Sequence, residues 1–169
     1  MPTNQEFLTE IQSKFPDKII SHKEDYETLI IEVASNSVYD ILEYFKSSPN
    51  FELNFLTTMC GLHQPENAGK EIGVMYQVKN LISNYSVRFK AFFPIASPKI
   101  KSVVSLFPTA NWMERQEYDF FGIEFEGHPD LRRILNVDEM DYFPMRKEYK
   151  LEDGTRDDKE DKFFGRSEQ

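Results

Sequence analysis

The first half of the chain contains two stretches in which apolar residues recur at helical spacing. Thr3 and Glu6 match a capping box, which predicts a helix start, and Pro16 predicts its end. A second helix is predicted after Ser35 or Ser37, and the Ser47-Ser48-Pro49 sequence ends it. The apolar faces of these helices are Phe7, Leu8, Ile11 and Phe15 in the first, and Val38, Ile41, Leu42 and Phe45 in the second.

Elsewhere in this half, the apolar residues follow the patterns of β-strands. Residues 18–23 and 27–34 are rich in β-branched side chains around a polar turn, which predicts a hairpin. Residues 51–60 also have the character of a strand. Strict alternation over residues 72–78 and again over 85–93 predicts a second hairpin.

A third helix is predicted over residues 110–121, with Ser102 or Thr109 near its start and Gly122 as the residue that ends it. Strands in hairpins, combined with helices, are typical of two-layer α+β proteins. We therefore predict an α+β fold with a mixed or antiparallel sheet, helices packed on one face, and an extended C-terminal segment.

The composition restricts the classes of function. The 169 residues carry a net charge of −9, which disfavours unaided binding to nucleic acid or to an anionic membrane. Cys60 is the single cysteine, so it forms no intramolecular disulfide and cannot alone hold an iron–sulfur cluster or a structural zinc. The N-terminus lacks a signal-peptide pattern, and no apolar run approaches the roughly 20 residues that span a bilayer. We expect a soluble protein from a reducing compartment.

The chain divides into one domain and a tail. Residues 1–149 are predicted to form the α+β domain, and residues 150–169 a charged tail. Phe163, Phe164 and Arg166 follow the charged run, and two aromatic residues before a basic one are suited to docking on another subunit. Plain disorder of the tail is the alternative.

The densest mixture of charged residues, aromatic residues and glycines lies at residues 114–135, where an active site would be the first hypothesis. Glu124 and His128 are four residues apart, but Gly127 and Pro129 prevent the helix that a metal-binding pair would need. No phosphate-binding glycine motif, nucleophile elbow or activated thiol is present. The sequence thus predicts no catalytic residue, cofactor-binding residue or metal ligand.

A structural role accounts for more of this segment. On a helix, Glu114 and Glu117 share one face, and two carboxylates are costly if they are buried without partners. We predict that Arg132 and Arg133 neutralise them. Arg115 and Asp119 are four residues apart and can pair, in the less favourable order for the helix dipole. Such a network would pin residues 123–135 onto the helix. A solvated charged helix is the alternative, but it leaves the glycines and the His128-Pro129 step unexplained.

The same residues resemble the signature of the 30-kDa subunit family of respiratory complex I, the proton-translocating NADH–quinone oxidoreductase. Residues 142–149 resemble the segment that follows this signature in the family, although their Pro-Met-Arg-Lys sequence is looser, and Gln116 replaces a usual glutamate. The positions that carry the resemblance are Glu114, Arg115, Glu117, Asp119, Gly122, His128, Pro129, Asp130, Arg132 and Arg133.

The resemblance implies a non-redox structural and assembly subunit of the peripheral arm. Its expected partners are the quinone-pocket subunit and the subunit that carries the terminal iron–sulfur cluster, at the cytoplasmic face of the bacterial inner membrane. FMN, iron–sulfur clusters and quinone would belong to partner subunits, with no cofactor in this chain. Three alternatives remain: an equivalent subunit of a related membrane-bound hydrogenase or dehydrogenase complex, an RNA-binding α+β domain that stacks bases on Phe89, and a stand-alone metalloenzyme.

Overall fold

The computed structural model describes residues 2–149. The elements in chain order are α1 (Asn4–Lys14), β1 (Ile19–Asp25), β2 (Thr28–Val33), a 3-10 turn (Ser35–Ser37), α2 (Val38–Ser47), β3 (Phe55–His63), β4 (Ile72–Lys79), β5 (Ser86–Phe93), β6 (Lys99–Lys101), α3 (Ala110–Phe121) and β7 (Glu124–Glu126).

Five strands form one sheet in the order β1-β2-β5-β4-β3. The β2–β5 pair is parallel and the other three pairs are antiparallel, so the sheet is mixed and the α+β prediction is confirmed. The predicted β4–β5 hairpin is also confirmed, with Ile72 opposite Phe93 and Lys79 opposite Ser86. The short parallel pair of β6 and β7 was not predicted, because three-residue strands are too short to show a period.

The core lies on one face of this sheet. Alternate residues of β4 and β5 are buried, and directly paired residues point to the same face. The α1 residue Phe7 packs against Phe89 of β5 and Phe45 of α2, with ring centroids 6.1 and 4.2 Å apart. This core face consists of Ile72, Val74, Tyr76 and Val78 of β4 and Val87, Phe89, Ala91 and Phe93 of β5. Phe89 is 1% exposed, so the proposal that it stacks RNA bases is wrong.

The helices begin where they were predicted to begin, but only α1 has the predicted side-chain cap. The capping box of Thr3 and Glu6 is present in full, which confirms the prediction for α1. Ser37 directly precedes α2, but its hydroxyl donates to Asn36 and does not cap the helix. The short 3-10 turn before α2 instead supplies the entry to the helix.

The strand predicted at residues 51–60 is wrong at both ends. It starts only at Phe55 and continues to His63. The ring of Phe51 packs edge-on against Phe7, 4.8 Å between centroids, and Glu52 has a left-handed backbone with φ of 43°. The apolar residues that resembled a strand here belong to a turn that fills the core under α1 and α2.

The third helix lies over the core face beside the edge strand β3. Gly61 of β3 pairs with Val74, a core-face residue, and the space where a Gly61 side chain would lie is filled by Phe121 and Glu117 of α3. The N–H of Gly61 donates to Glu117 Oε2 at 2.6 Å. Helix α3 therefore covers part of an edge that would otherwise be open to strand pairing.

The structure confirms the predicted end of α3. Gly122 has a left-handed backbone with φ of 73°, and its N–H donates to the Tyr118 carbonyl. No helix within residues 2–149 combines the length and the hydrophobicity that a membrane span requires.

We expect Gly61→Ala to destabilise the protein by about 1–3 kcal/mol, because α3 leaves no room for the added methyl group. A Cβ at this position would contact the Phe121 ring and lie 2.7 Å from Glu117 Oε2. Urea unfolding would measure the loss. Thr58→Ala, at an exposed position of the same strand, is the control and should cost less than about 1 kcal/mol. Equal losses would show that α3 does not restrict this site.

Candidate functional site

The carboxylate of Asp119 on α3 is fully buried and organises the chain from Arg133 to Asn136. Its Oδ1 accepts from Arg133 Nη1 at 2.7 Å and from Asn136 Nδ2 at 3.0 Å. Its Oδ2 accepts three backbone N–H groups, from Ile134 (3.2 Å), Leu135 (2.8 Å) and Asn136 (2.9 Å). One side chain thus fixes a stretch of backbone that has no helix or strand of its own.

The hydrogen bonds also decide the charge of Asp119. Burial by itself would raise the pKa of this carboxyl. The N–H groups of Asn136 and Leu135, with the side chains of Arg133 and Asn136, outweigh burial and hold the pKa well below its ordinary value. Asp119 is therefore a stable buried anion.

Arg133 connects this anion to the next turn of chain. Besides Asp119, its guanidinium donates to the carbonyls of Met140 (2.7 Å) and Tyr142 (2.9 Å). Its side chain is 10% exposed. Because a guanidinium offers five N–H donors in a fixed plane, it can satisfy a carboxylate and several carbonyls together.

Two further arginines hold the ends of this segment. Arg115 donates to the carbonyls of Arg132 (3.2 Å) and Arg133 (3.0 Å). Arg146 donates to the Phe121 carbonyl at 2.8 Å, at the C-terminal end of α3, where a cation is favourable. Arg146 also lies over the Phe143 ring, with 4.6 Å between the guanidinium carbon and the ring centroid.

His128 has a structural position. Its Nδ1 accepts from the N–H of Asp130 at 3.0 Å, so its Nε2 is the nitrogen that donates to the Asn111 carbonyl at 3.0 Å. The ring fastens the turn after β7 to the first turn of α3, and Pro129 beside it is exposed. Within residues 2–149, no three His, Cys, Asp or Glu side chains converge as a metal site would require.

The predicted partners of the arginines were wrong in three respects. Arg133 pairs with Asp119 and not with Glu114 or Glu117, and Arg115 donates to carbonyls in place of Asp119. Arg132 is 70% exposed and pairs at 3.0 Å with Asp130, which is 53% exposed. Helical spacing identified the charged residues, but the fold of residues 127–133 determines which side chain reaches which partner.

Glu114 and Glu117 are buried, and neither forms an ion pair with a residue between positions 2 and 149. Glu114 accepts from the Ser102 hydroxyl at 2.6 Å and the Val103 N–H at 2.7 Å, whereas Glu117 accepts from Gly61. Burial raises the pKa of each carboxyl to about 7, and these hydrogen bonds offset only part of the rise. Both carboxyls therefore titrate near neutral pH.

Tyr76 of β4 adds a third ionisable group to this region. Its hydroxyl is buried and has no hydrogen-bond partner within the described part of the chain. Burial raises the pKa of Tyr76 well above its ordinary value, and Glu114 and Glu117 raise it further. Sequence reasoning missed Tyr76, because an aromatic residue in an alternating strand indicates core and its hydroxyl gives no separate signal.

Several other residues of the site were also missed. Asn136 lies outside any periodic pattern, Ser102 was considered only as a helix start and not as a donor to Glu114, and Gly61 is recognisable only once α3 is seen against β3. The predicted docking residues Phe163, Phe164 and Arg166 lie outside the described residues, as does the rest of the tail from residue 150.

Chemically, this arrangement is suited to binding another protein. Asp119, Arg115, Arg133 and Arg146 bond mainly to backbone groups, apart from side-chain bonds such as that between Asp119 and Arg133. Among residues 2–149, these bonds place no nucleophile next to a base. The segment that these bonds hold, residues 133–146, is called the fastened segment here, and it exposes large apolar side chains to solvent. These side chains are Leu135 (64% exposed), Val137 (63%) and Met145 (51%), and Trp112 of α3 is 62% exposed. We call these four residues the apolar surface.

The chain is similar to known proteins over most of its length. A family model described as the 30-kDa subunit of the respiratory-chain NADH dehydrogenase matches residues 31–155. The C subunit of the NADH-quinone oxidoreductase of Streptomyces coelicolor is 33% identical over 84% of this chain and 57% of that protein. The corresponding protein of Acidothermus cellulolyticus is 32% identical over 82% of this chain and 72% of that protein. The chain spans 52% to 58% of the length of the first three relatives.

Two solved structures share the fold. One is Nqo5 as a trypsin-resistant fragment, with 25% identity, a TM-score of 0.65, and coverage of 75% of this chain and 98% of that chain. The other belongs to the membrane-bound sulfane sulfur reductase, an archaeal respiratory membrane complex. It has 26% identity and a TM-score of 0.72, over 87% of this chain and 85% of that chain.

We expect Arg133→Ala to destabilise the protein by about 3 kcal/mol or more, because it leaves Asp119 buried without its cation. Arg132→Ala is the matched control. Its side chain pairs only at the surface, so its removal should cost less than about 1 kcal/mol. Urea unfolding of both variants tests this difference, and comparable losses would refute the central place given to the Asp119–Arg133 pair.

Because the pKa of Glu117 is raised, we expect the free energy of unfolding to fall as pH rises. Its folded pKa of about 7 lies above the ordinary 4.5, so its stabilising contribution belongs to the protonated form. That contribution is full below about pH 4.5 and is lost as pH rises through 7, at up to about 1.4 kcal/mol per pH unit. Glu117→Gln should therefore flatten the decline in the free energy of unfolding between roughly pH 5 and roughly pH 7.5.

The control for this measurement is Glu139→Gln, which removes an exposed carboxyl. Its profile should follow that of the parent protein. A parent whose stability rises over the same window, or a Glu117→Gln profile identical to the parent's, would contradict the assignment.

Proposed function

Since the chain belongs to the family of the 30-kDa subunit of respiratory-chain NADH dehydrogenase, we propose that it is a structural subunit of a proton-translocating NADH–quinone oxidoreductase. In this proposal it lies in the peripheral arm and supports the quinone-reducing module. Electrons pass from NADH through FMN and iron–sulfur clusters to quinone in other subunits, and not through this chain.

The apolar surface on a fastened segment is the observation that carries this proposal. Exposed side chains such as Leu135 and Val137 lie on irregular backbone, yet Asp119 and Arg133 hold that backbone in one conformation. A preformed surface loses little conformational entropy on binding, so more of the contact energy appears as affinity. This is the property that an assembly subunit needs.

The proposed partners are the quinone-pocket subunit and the subunit with the terminal iron–sulfur cluster. The sequence supports the absence of a redox group in this chain, because a single cysteine cannot ligate a cluster. In the same proposal, the protein is peripheral at the cytoplasmic face of the bacterial inner membrane and reaches the membrane only through the complex.

A second candidate is an equivalent subunit of a related membrane-bound hydrogenase or dehydrogenase complex. The similarity to a chain of an archaeal sulfane sulfur reductase favours keeping it, because it covers 87% of this chain. The electron donor and acceptor of the isolated complex distinguish the two candidates.

The test is affinity isolation of the tagged chain from native membranes, followed by assay of the material recovered. We expect flavin, several iron–sulfur clusters and NADH–quinone activity to be recovered with the chain. Hydrogenase or another dehydrogenase activity without NADH oxidation would support the second candidate. Recovery of the chain alone, from the soluble fraction, would refute both.

The apolar surface makes a sharper prediction. Val137→Asp should lower the recovery of the other subunits about tenfold or more, since a charge buried in an interface costs several kcal/mol. Ile82→Asp is the control, because Ile82 is 88% exposed on the loop between β4 and β5, away from the fastened segment. Equal recovery of the other subunits with both variants would show that the apolar surface is not part of the interface.

A further inference from the structure

The face of the sheet opposite the core is uncovered in the described chain. The residues between the buried ones of β4 and β5 point to this side. Arg88 lies between Ile30 and Gln77, and Lys90 lies between Glu32 and Met75. We call this side the open face; its residues include Lys23, Ile30, Met75, Arg88, Lys90 and Phe92.

The charge of the open face is opposite to that of the whole chain. The chain has 29 acidic and 20 basic residues. On this face, in contrast, the strands carry the basic residues Lys23, Lys79, Arg88 and Lys90, against the acidic residues Asp25 and Glu32. Glu32 already pairs with Lys70 at 2.8 Å. Among residues 2–149, neither Lys23 nor Lys90 forms an ion pair.

The open face also has an apolar floor. Ile30 is 4% exposed, and Met75 and Phe92 are half-buried beside the basic side chains. A shallow depression of about 320 Å³ is lined by residues that include Ile30, Lys90 and Phe92. The long basic side chains cover apolar surface with their methylene groups while their charges remain in water.

We propose that the open face is a second interface, which binds an acidic segment of another subunit with Asp or Glu side chains next to apolar ones. It rests on the proposed function, because the occupant is a subunit of the same complex. Carboxylates of that segment pair with Lys23, Arg88 and Lys90, and its apolar side chains cover Ile30 and Phe92.

Charge favours this occupant over a nucleic acid or an anionic membrane. A polyanion repels a chain with a net charge of −9 over the whole molecule, and only a few cations on one face oppose that repulsion. A protein segment brings a few carboxylates close to those cations and also supplies apolar contacts. The surface around residues 135–145 differs in character, since Asp138, Glu139 and Asp141 are exposed there.

The test is a footprint of lysine amines in the intact complex. A small acetylating reagent is added, and the acetylation of Lys90 is normalised to the same peptide in the denatured complex. Lys18 is the matched control, because it is half-exposed like Lys90 but precedes β1. We expect Lys90 to be about tenfold less reactive than Lys18, equivalent to roughly 1.4 kcal/mol of protection.

A second measurement identifies the occupant. A water-soluble carbodiimide joins an amine to a carboxylate in direct contact with it, with loss of water. We expect mass spectrometry to find Lys90 or Lys23 joined to an Asp or Glu of another subunit. Joining to carboxylates of residues 150–169 would mean that the chain's own tail covers the face, and would overturn the proposal.

Other outcomes also decide the matter. Lys90 as reactive as Lys18 in an intact complex would overturn the second interface and leave the proposed function standing. Protection that disappears after nuclease treatment would assign the face to a nucleic acid and overturn the acidic segment. A chain that is not recovered in any complex would refute the proposed function, and this inference with it.

Discussion

The buried anion of Asp119 is the constraint on which the second half of the structure depends. Its two oxygens accept three backbone N–H groups and two side-chain donors, and the irregular chain from Arg133 to Asn136 takes its path from them. Arg133 in turn donates to the carbonyls of Met140 and Tyr142 and so fixes the chain up to residue 142. Because these bonds are made in a protected environment, each is harder for water to replace than a bond at the surface. A segment without periodic structure is thereby fixed in place.

The same helix shows how the number of donors decides the state of a buried carboxyl. Asp119, Glu114 and Glu117 are all buried on α3, yet the pKa of Asp119 falls while that of each glutamate rises to about 7. Asp119 meets a cation and several N–H groups. Glu117 has one strong donor, the Gly61 N–H, and Glu114 has two neutral donors. Burial therefore gives a permanent charge where donors are plentiful and a titrating group where they are few.

The elements could be predicted from the sequence wherever the residues of one element determine it. The helices α1 and α3 and the β4–β5 hairpin depend on local spacing and on caps such as Thr3 and Gly122, and each was predicted correctly. Features that depend on distant residues could not be predicted in this way. The turn at Phe51 depends on rings of two helices, and the choice of Arg133 over Arg132 depends on the turn at Gly127. Charge and size alone do not separate two adjacent arginines, but the path of the backbone does.

In the proposed subunit, two surfaces of different character would give the buried charge of α3 a structural use. The apolar surface around Leu135 and Val137 depends on the Asp119–Arg133 pair, whereas the open face depends on the register of the sheet. Helix α3 joins the sheet to the segment, since Glu117 bonds to Gly61 of β3 and Asp119 bonds to the backbone of residues 134–136. A subunit that binds neighbours on two sides must hold those sides at a fixed distance and angle. A helix bonded to the sheet and to the segment supplies that rigidity, and an interior of apolar residues alone would specify the orientation less strictly.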